Sequence, residues 1–203
     1  MPERRFLQEH KTVYRRRINR YEPRHHFLVV CEGEKTEPNY FKRFPLPPDS
    51  IVDVQGIGAN TISLVNEALR LKSNARYHQV WCVFDRDSFD PGDFNAAIQK
   101  AEANNVRVAY SNEAFELWYV LHFDYLNTGI TRNDYITCLN RNLGHVYQKN
   151  SETIYDEIYS LQINAIRNAK RLLAQYNPPD PVANNPSTTV HLLVEQLNRL
   201  FWD

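Results

Sequence analysis

Four short apolar runs, HFLVVC (26–31), SIVDVQGIG (50–58), QVWCVF (79–84) and VRVAYS (106–111), recur between stretches of helical periodicity. That alternation limits the fold more than any other feature. The first and third runs are continuous, as strands covered on both faces are. Between the first two runs, TEPNYFKRF predicts a short helix with Thr36 as N-cap and Pro38 in its first turn. NTISLVNEALRLKSNA (60–75) has amphipathic spacing opened by Asn60 or Thr61, and DPGDFNAAIQKAEANN supplies turn residues and then a helix. This order predicts an α/β fold with a sheet of about four mainly parallel strands, joined by right-handed crossovers and flanked by helices.

Beyond Ser111 the strand signals fade. EAFELWYVLHF, NDYITCLNRNL, SETIYDEIYSLQINAIRNAKRLLAQY and PSTTVHLLVEQLNRLF carry helical periodicity, the last opened by a Ser/Thr cap after Pro186. The expected organisation is a basic arm over 1–26, an α/β core over 27–125 and a helical extension over 126–203. The extension packs on the core, so that the chain forms a single compact domain. Proline-rich linkers occur only at PLPPD (45–49) and NPPDPVANNP (177–186).

The chain has 203 residues, 42% hydrophobic and 24% charged, an ordinary balance for a globular protein with a substantial core. No apolar stretch reaches the roughly 18 residues of a membrane span. The N-terminal MPERRFLQEHK is charged where a secretory signal is apolar, so no membrane association and a cytoplasmic location are expected. Cys31, Cys82 and Cys138 are odd in number and lack CxxC spacing, which predicts reduced core thiols. The oligomeric state is open, and a homodimer is compatible with the sequence.

The net charge of zero conceals an asymmetry. Residues 1–26 carry eight Lys/Arg against three acids. Arg15, Arg16, Arg17, Arg20 and Arg24, interleaved with aromatics in YRRRINRYEPRHH, are candidate nucleic-acid contacts. An arm folded over its own mildly acidic body would account for the charge equally well.

Ligands of open parallel sheets sit outside the carboxyl ends of the strands. Three of the expected strands end there in acids: the first runs into Glu32, the third into Asp85 and Asp87, and the fourth is followed by Glu113 and Glu116. Asp85 and Asp87 point to one side if the strand persists through Arg86. Clustered carboxylates repel unless a cation or a shared proton lies between them. Hard oxygen ligands without neighbouring His or Cys favour Mg2+ or Mn2+. Each acid alone has a plainer explanation, since DxD is also a common turn and Glu32-Gly33 a common strand end. Lys35 is the base nearest the cluster, and a simple ion pair is its plainer role. His122 reads as a packed or capping residue, and Trp81, Trp118 and Trp202 as core.

The blocks FLVVCEGEKTEPNYFKRF, VWCVFDRDSF, SNEAFELWYVLHF and NPSTTVHLLVEQL resemble those of the RloB-like proteins, at matching spacing from Phe27 to Leu200. YQKN, with Tyr147 and Lys149, resembles a further block of that family. The family is in turn similar to the Toprim fold of type IA and II topoisomerases, bacterial primases and overcoming-lysogenization-defect nucleases. The resemblance implies a glutamate after the first strand, here Glu32, and a DxD after the third, here Asp85 and Asp87. The nuclease branch carries EGxTE; the chain has EGEKTE, one residue longer, which leaves Glu34 and Glu37 as alternatives for a second-site ligand, with Glu37 favoured after Thr36. A serine and an acid after the next strand correspond to Ser111 and either Glu113 or Glu116, with Glu116 favoured by FELW.

The resemblance further implies metal-assisted phosphodiester hydrolysis of DNA or RNA. The catalytic residues would be Glu32, Asp85, Asp87 and Lys35, and the ligands of Mg2+ or Mn2+ would be Glu32, Glu37, Asp85, Asp87 and Glu116. It also implies a role in restriction-associated antiviral or abortive-infection defence beside an ATPase partner of the RloA type. Two alternatives stand beside this expectation: a non-catalytic nucleic-acid- or partner-binding module, and a phosphotransfer enzyme acting on nucleotides. The chain has no P-loop, and GIGAN (56–60) is too short to serve as one.

Overall fold

The computed structural model describes residues 23–86 and 90–202. Its sheet has five strands, β1 (His25–Cys31), β2 (Ser50–Gly56), β3 (Gln79–Asp85), β4 (Arg107–Asn112) and β5 (Ser187–Thr188). They lie in the order β2-β1-β3-β4-β5, the first four parallel and β5 antiparallel to β4. The architecture is therefore the expected mostly parallel α/β sheet, consistent with a Toprim-like fold, and it has one more strand than the sequence suggested.

The period-2 alternation of strand side chains divides the core in two. Phe27, Val29 and Cys31 of β1 and Trp81 and Val83 of β3 face one cluster; Leu28, Val30, Val80, Cys82 and Phe84 face the other. The smaller cluster is closed by α2 (Thr61–Lys72) and α3 (Pro91–Ala103) through Leu64, Val65, Phe94 and Ala97. The larger holds α1 (Thr36–Lys42), α4 (Glu116–Phe123) and α5 (Arg132–Leu143), together with α6 (Ile154–Ile158), α7 (Gln162–Leu173) and α8 (Val190–Arg199). The helix after β1 thus covers one face, and the helices before and after β3 cover the other. Adjacent connections leave β1 and β3 in opposite directions, which opens a crevice at their carboxyl ends, the usual ligand position in such sheets.

Local signals explain most element boundaries. Asn60 caps α2 by accepting from the Ser63 N–H, and Asp90 caps α3 with Pro91 at its first position. Thr131 and Asp134 form a reciprocal capping box that fixes the start of α5, and Gly144, with φ of 74°, ends it. Thr36 is not the N-cap of α1. Lys35 occupies that position, and the Thr36 hydroxyl instead donates to Asn150 Oδ1 at 2.8 Å.

Three other expectations need correction. Of the STT expected to cap the last helix, Ser187 and Thr188 form β5; Thr189 holds the N-cap position of α8, which starts at Val190, but its hydroxyl makes no capping bond and the Val190 N–H donates to Thr188 Oγ1 instead. Thr188 Oγ1 donates to the Tyr110 carbonyl, Thr189 N–H donates to the same oxygen, and Ser111 and Thr188 hydroxyls lie 3.1 Å apart. These bonds cover the exposed edge of β4, and two residues are too few for alternation to reveal a strand. The stretch 154–173 is not one helix, because a 3₁₀ turn over Tyr159–Leu161 separates α6 from α7. Trp81 and Trp118 are buried as expected, whereas Trp202 is 87% exposed, the chain having left α8 after Arg199. Cys31 and Cys82 are buried free thiols and Cys138 is half-buried; burial pushes the Cys82 thiol up to about 12. Among the described residues no helix is long and apolar enough to cross a membrane.

Candidate functional site

At the carboxyl ends of β1 and β3 lies a cavity of about 530 Å³ lined by residues 32–37, Asp85, Phe115, Glu116, Arg132, Lys149 and Asn150. Strand geometry places its first two acids. Asp85 continues the face of Trp81 and Val83, so its side chain turns toward the α4 side of the sheet. Glu32 follows β1 directly: its N–H donates to the Val83 carbonyl, and its Oε2 accepts from the Asp85 backbone N–H at 3.1 Å. The two strand ends are thereby joined through the glutamate side chain.

Two helix starts supply the other acids. Glu37 and Glu116 stand in the first turns of α1 and α4, where the helix dipole favours negative charge. They are 5% and 2% exposed, and Asp85 is 8% exposed. Burial foremost, opposed by the backbone amide of Glu37 itself and reinforced by repulsion from Glu116, raises the Glu37 carboxyl above its ordinary value; the Gly33 amide and Lys149 also pull it down. Asp85 is raised well above the usual carboxylate range, by burial first and then by Glu37, Glu116 and Glu32, with Arg132 opposing. Gly33 makes room for Glu37: a Cβ there would lie 2.2 Å from Glu37 Oε2.

Arg132, at the first position of α5, reaches into the acids. Its Nη2 lies 3.2 Å from Asp85 Oδ2, and its Nε lies 3.7 Å from Glu116 Oε2. Sequence reasoning missed this residue; its signal is a cation at a helix start, where the dipole disfavours it. Lys149 of the YQKN block lines the same cavity and is exposed.

The structure thus brings Glu32, Lys35, Glu37, Asp85 and Glu116 to one cavity. Lys35 is exposed there. Glu34 lines the cavity too but is exposed, and its carboxylate sits close to Gly58. Ser111 lies within β4 in register with Asp85, buried and bonded to Thr188, and does not line the cavity. Glu113 borders a separate recess with Thr131 and Asp134. Asp87, Arg15, Arg16, Arg17 and Arg20 lie outside the described residues. Arg24 is exposed just before β1, whose seven residues separate it from Glu32 by about 26 Å at ~3.3 Å per residue. His122 is packed as expected, buried at the end of α4 with Nδ1 2.9 Å from the Trp118 carbonyl.

The donor set suits a hard divalent cation. Among the described residues, Glu37 Oε2 and Asp85 Oδ1 are buried without a hydrogen-bond partner, a costly condition that a cation relieves. Among the same residues no three Asp, Glu, His or Cys side chains close around one point, so the carboxylates line the cavity and Arg132 stands between two of them.

No curated protein and no solved structure matches the chain. Residues 27–197, from the first residues of β1 to the last turn of α8, match the model described as RloB-like protein, and the chain belongs to that family.

Proposed function

We propose that the chain is a divalent-metal-dependent nuclease that hydrolyses phosphodiester bonds of DNA or RNA. The observation that carries the reading is the buried pair of unpartnered carboxylate oxygens, Glu37 Oε2 and Asp85 Oδ1, beside Glu32 and Glu116 in one open cavity. Asp85, Glu32, Glu37 and Glu116 would hold Mg2+ or Mn2+, with Asp87 joining them. The ion, when bound, lowers the pKa of its water and offsets charge on the attacked phosphate. Lys35 and Lys149, exposed at the rim, would bind phosphate oxygens of the substrate and orient the strand. The basic segment 1–26 fits a polymeric substrate better than a free nucleotide. Family membership supports a place in restriction-associated antiviral defence beside an ATPase partner of the RloA type.

One observation favours a second reading, a nucleic-acid- or partner-binding module without catalysis: Arg132 already compensates Asp85 and Glu116. One experiment separates the two. The purified chain is incubated with labelled DNA, total RNA and transfer RNA in Mg2+, Mn2+ or chelator, beside Asp85→Ala and Glu32→Ala. Metal-dependent cleavage that is lost in both variants is expected. Binding of nucleic acid with no cleavage under any metal, with or without the ATPase partner, would refute the nuclease reading.

A further inference from the structure

We propose that Arg132 is the built-in counter-cation of the cavity: it holds the Asp85 and Glu116 carboxylates together while no divalent ion is bound, and it leaves them when one enters. The inference rests on the metal-dependent reading above and adds a device that governs loading of the site. Its guanidinium is placed between two buried acids, 3.2 Å from Asp85 and 3.7 Å from Glu116. Glu116 and Asp85 side chains are 3% and 12% exposed, but the Arg132 side chain is 32% exposed. The acids are the buried members of the cluster, and the cation, at the wall of the cavity, is the most exposed.

Helix energetics argue that the arginine is there for the acids and not for its own helix. At the first position of α5 a cation faces the positive end of the helix dipole, which disfavours it. The Thr131–Asp134 capping box fixes that first turn, and with it the point from which the side chain extends. A guanidinium offers a planar fork of donors that can span two carboxylates, which an ammonium cannot do in the same way. A divalent ion placed on Asp85 or Glu116 would repel that guanidinium at close range. The two cations therefore compete for the same oxygens, and Arg132, once displaced into the cavity, is positioned to meet a substrate phosphate.

The test is Mn2+ affinity of the full chain, read by electron paramagnetic resonance of the free ion, for wild type, Arg132→Ala and Arg132→Lys. Removing the competitor is expected to tighten Mn2+ binding on the order of tenfold, while Arg132→Lys, which keeps the charge without the fork, tightens it less. Equal or weaker binding by Arg132→Ala overturns the proposal. Should the alanine variant not fold, the wild type itself decides. The ¹⁵N-labelled Nε–H signal of Arg132, assigned by its loss in Arg132→Lys, is expected to move as Mg2+ saturates the protein, and an unmoved signal overturns the proposal. Absence of Mn2+ binding in both wild type and Arg132→Ala removes the nuclease reading along with it. Tighter binding by Arg132→Ala without cleavage of any nucleic acid removes the nuclease reading alone.

Discussion

Two glycines near the cavity differ in what a methyl group would strike, and that difference yields a quantitative test of the site. At Gly33 an added Cβ would lie 2.2 Å from Glu37 Oε2 and 3.0 Å from its Cδ and Oε1, all atoms at the end of a side chain that can turn. At Gly56 it would lie 2.5 Å from the Gly33 carbonyl oxygen and 2.7 Å from Glu34 Cα, which are backbone. Overpacking costs about 1–3 kcal/mol. Gly33→Ala belongs at the low end, because only the Glu37 carboxylate moves; for a chain of this size about 1 kcal/mol lowers Tm by about 2–4 °C. Gly56→Ala must shift the turn after β1 and belongs at the high end, about 3 kcal/mol or more. The effect on function runs the other way in proportion. A misplacement of about 1 Å in a catalytic group can cost about 10²-fold in rate, so Gly33→Ala is expected to lose roughly that much cleavage for a small loss of stability. Thermal melts and a metal-dependent cleavage assay measure both quantities, and Glu37→Ala supplies the control. In that background the Gly33→Ala cost in Tm should vanish, since the atoms it strikes are gone. Wild-type cleavage by Gly33→Ala, or a Tm loss that persists without Glu37, would refute the account of how Glu37 is held.

Two predictions concern pH. The folded value of Asp85 is raised, so between its ordinary value near 3.9 and the raised one the native state keeps a proton that the unfolded chain has released. This contribution to stability is present at low pH and is lost as pH rises through the folded value; Asp85→Asn should therefore raise the Tm of the metal-free protein at neutral pH while abolishing metal binding, and an unchanged or lower Tm would count against it. His122 acts with the opposite sign, because burial holds it near 4 in the folded protein. Its neutral form contributes about 3 kcal/mol above the ordinary value near 6.5, lost as pH falls from there toward 4. A His122→Gln variant should lose stability more gradually than wild type over that interval in urea titrations, and identical slopes would show that the imidazole does not carry the effect.

The parts of the site that could be read from the sequence are those governed by short-range rules. A continuous apolar run fixes a buried strand, its end fixes a loop, and period 2 sends Asp85 to the face of Trp81 and Val83; Glu32 and Asp85 then meet because β1 and β3 are parallel neighbours. Glu37 was reachable only through family resemblance, and strand position alone left Glu116 level with Glu113, since each stands near a helix start where an acid is ordinary. Nothing local reveals β5, whose two residues are held by bonds to Tyr110 and Ser111 more than 70 positions away. Arg132 is the more instructive omission, because its helix was legible and its partner was not. Its distance from Asp85 is set by how α5 docks beside α4, a matter of packing between Tyr135, Leu139 and the larger core.

The dipoles of these helices nevertheless leave a trace in the charge pattern. Glu37 and Glu116 sit where their helices stabilise anions, so part of the cost of clustering them is met by backbone amides before any ion arrives. Arg132 sits where its helix opposes a cation, so its placement gains from the carboxylates it faces and not from its own helix. Acids favoured by their own helices and an arginine disfavoured by its own make a cluster in which the helices support the acids and the acids support the arginine. If the site binds a divalent ion as proposed, that asymmetry lets the acids keep their places while the cation between them changes.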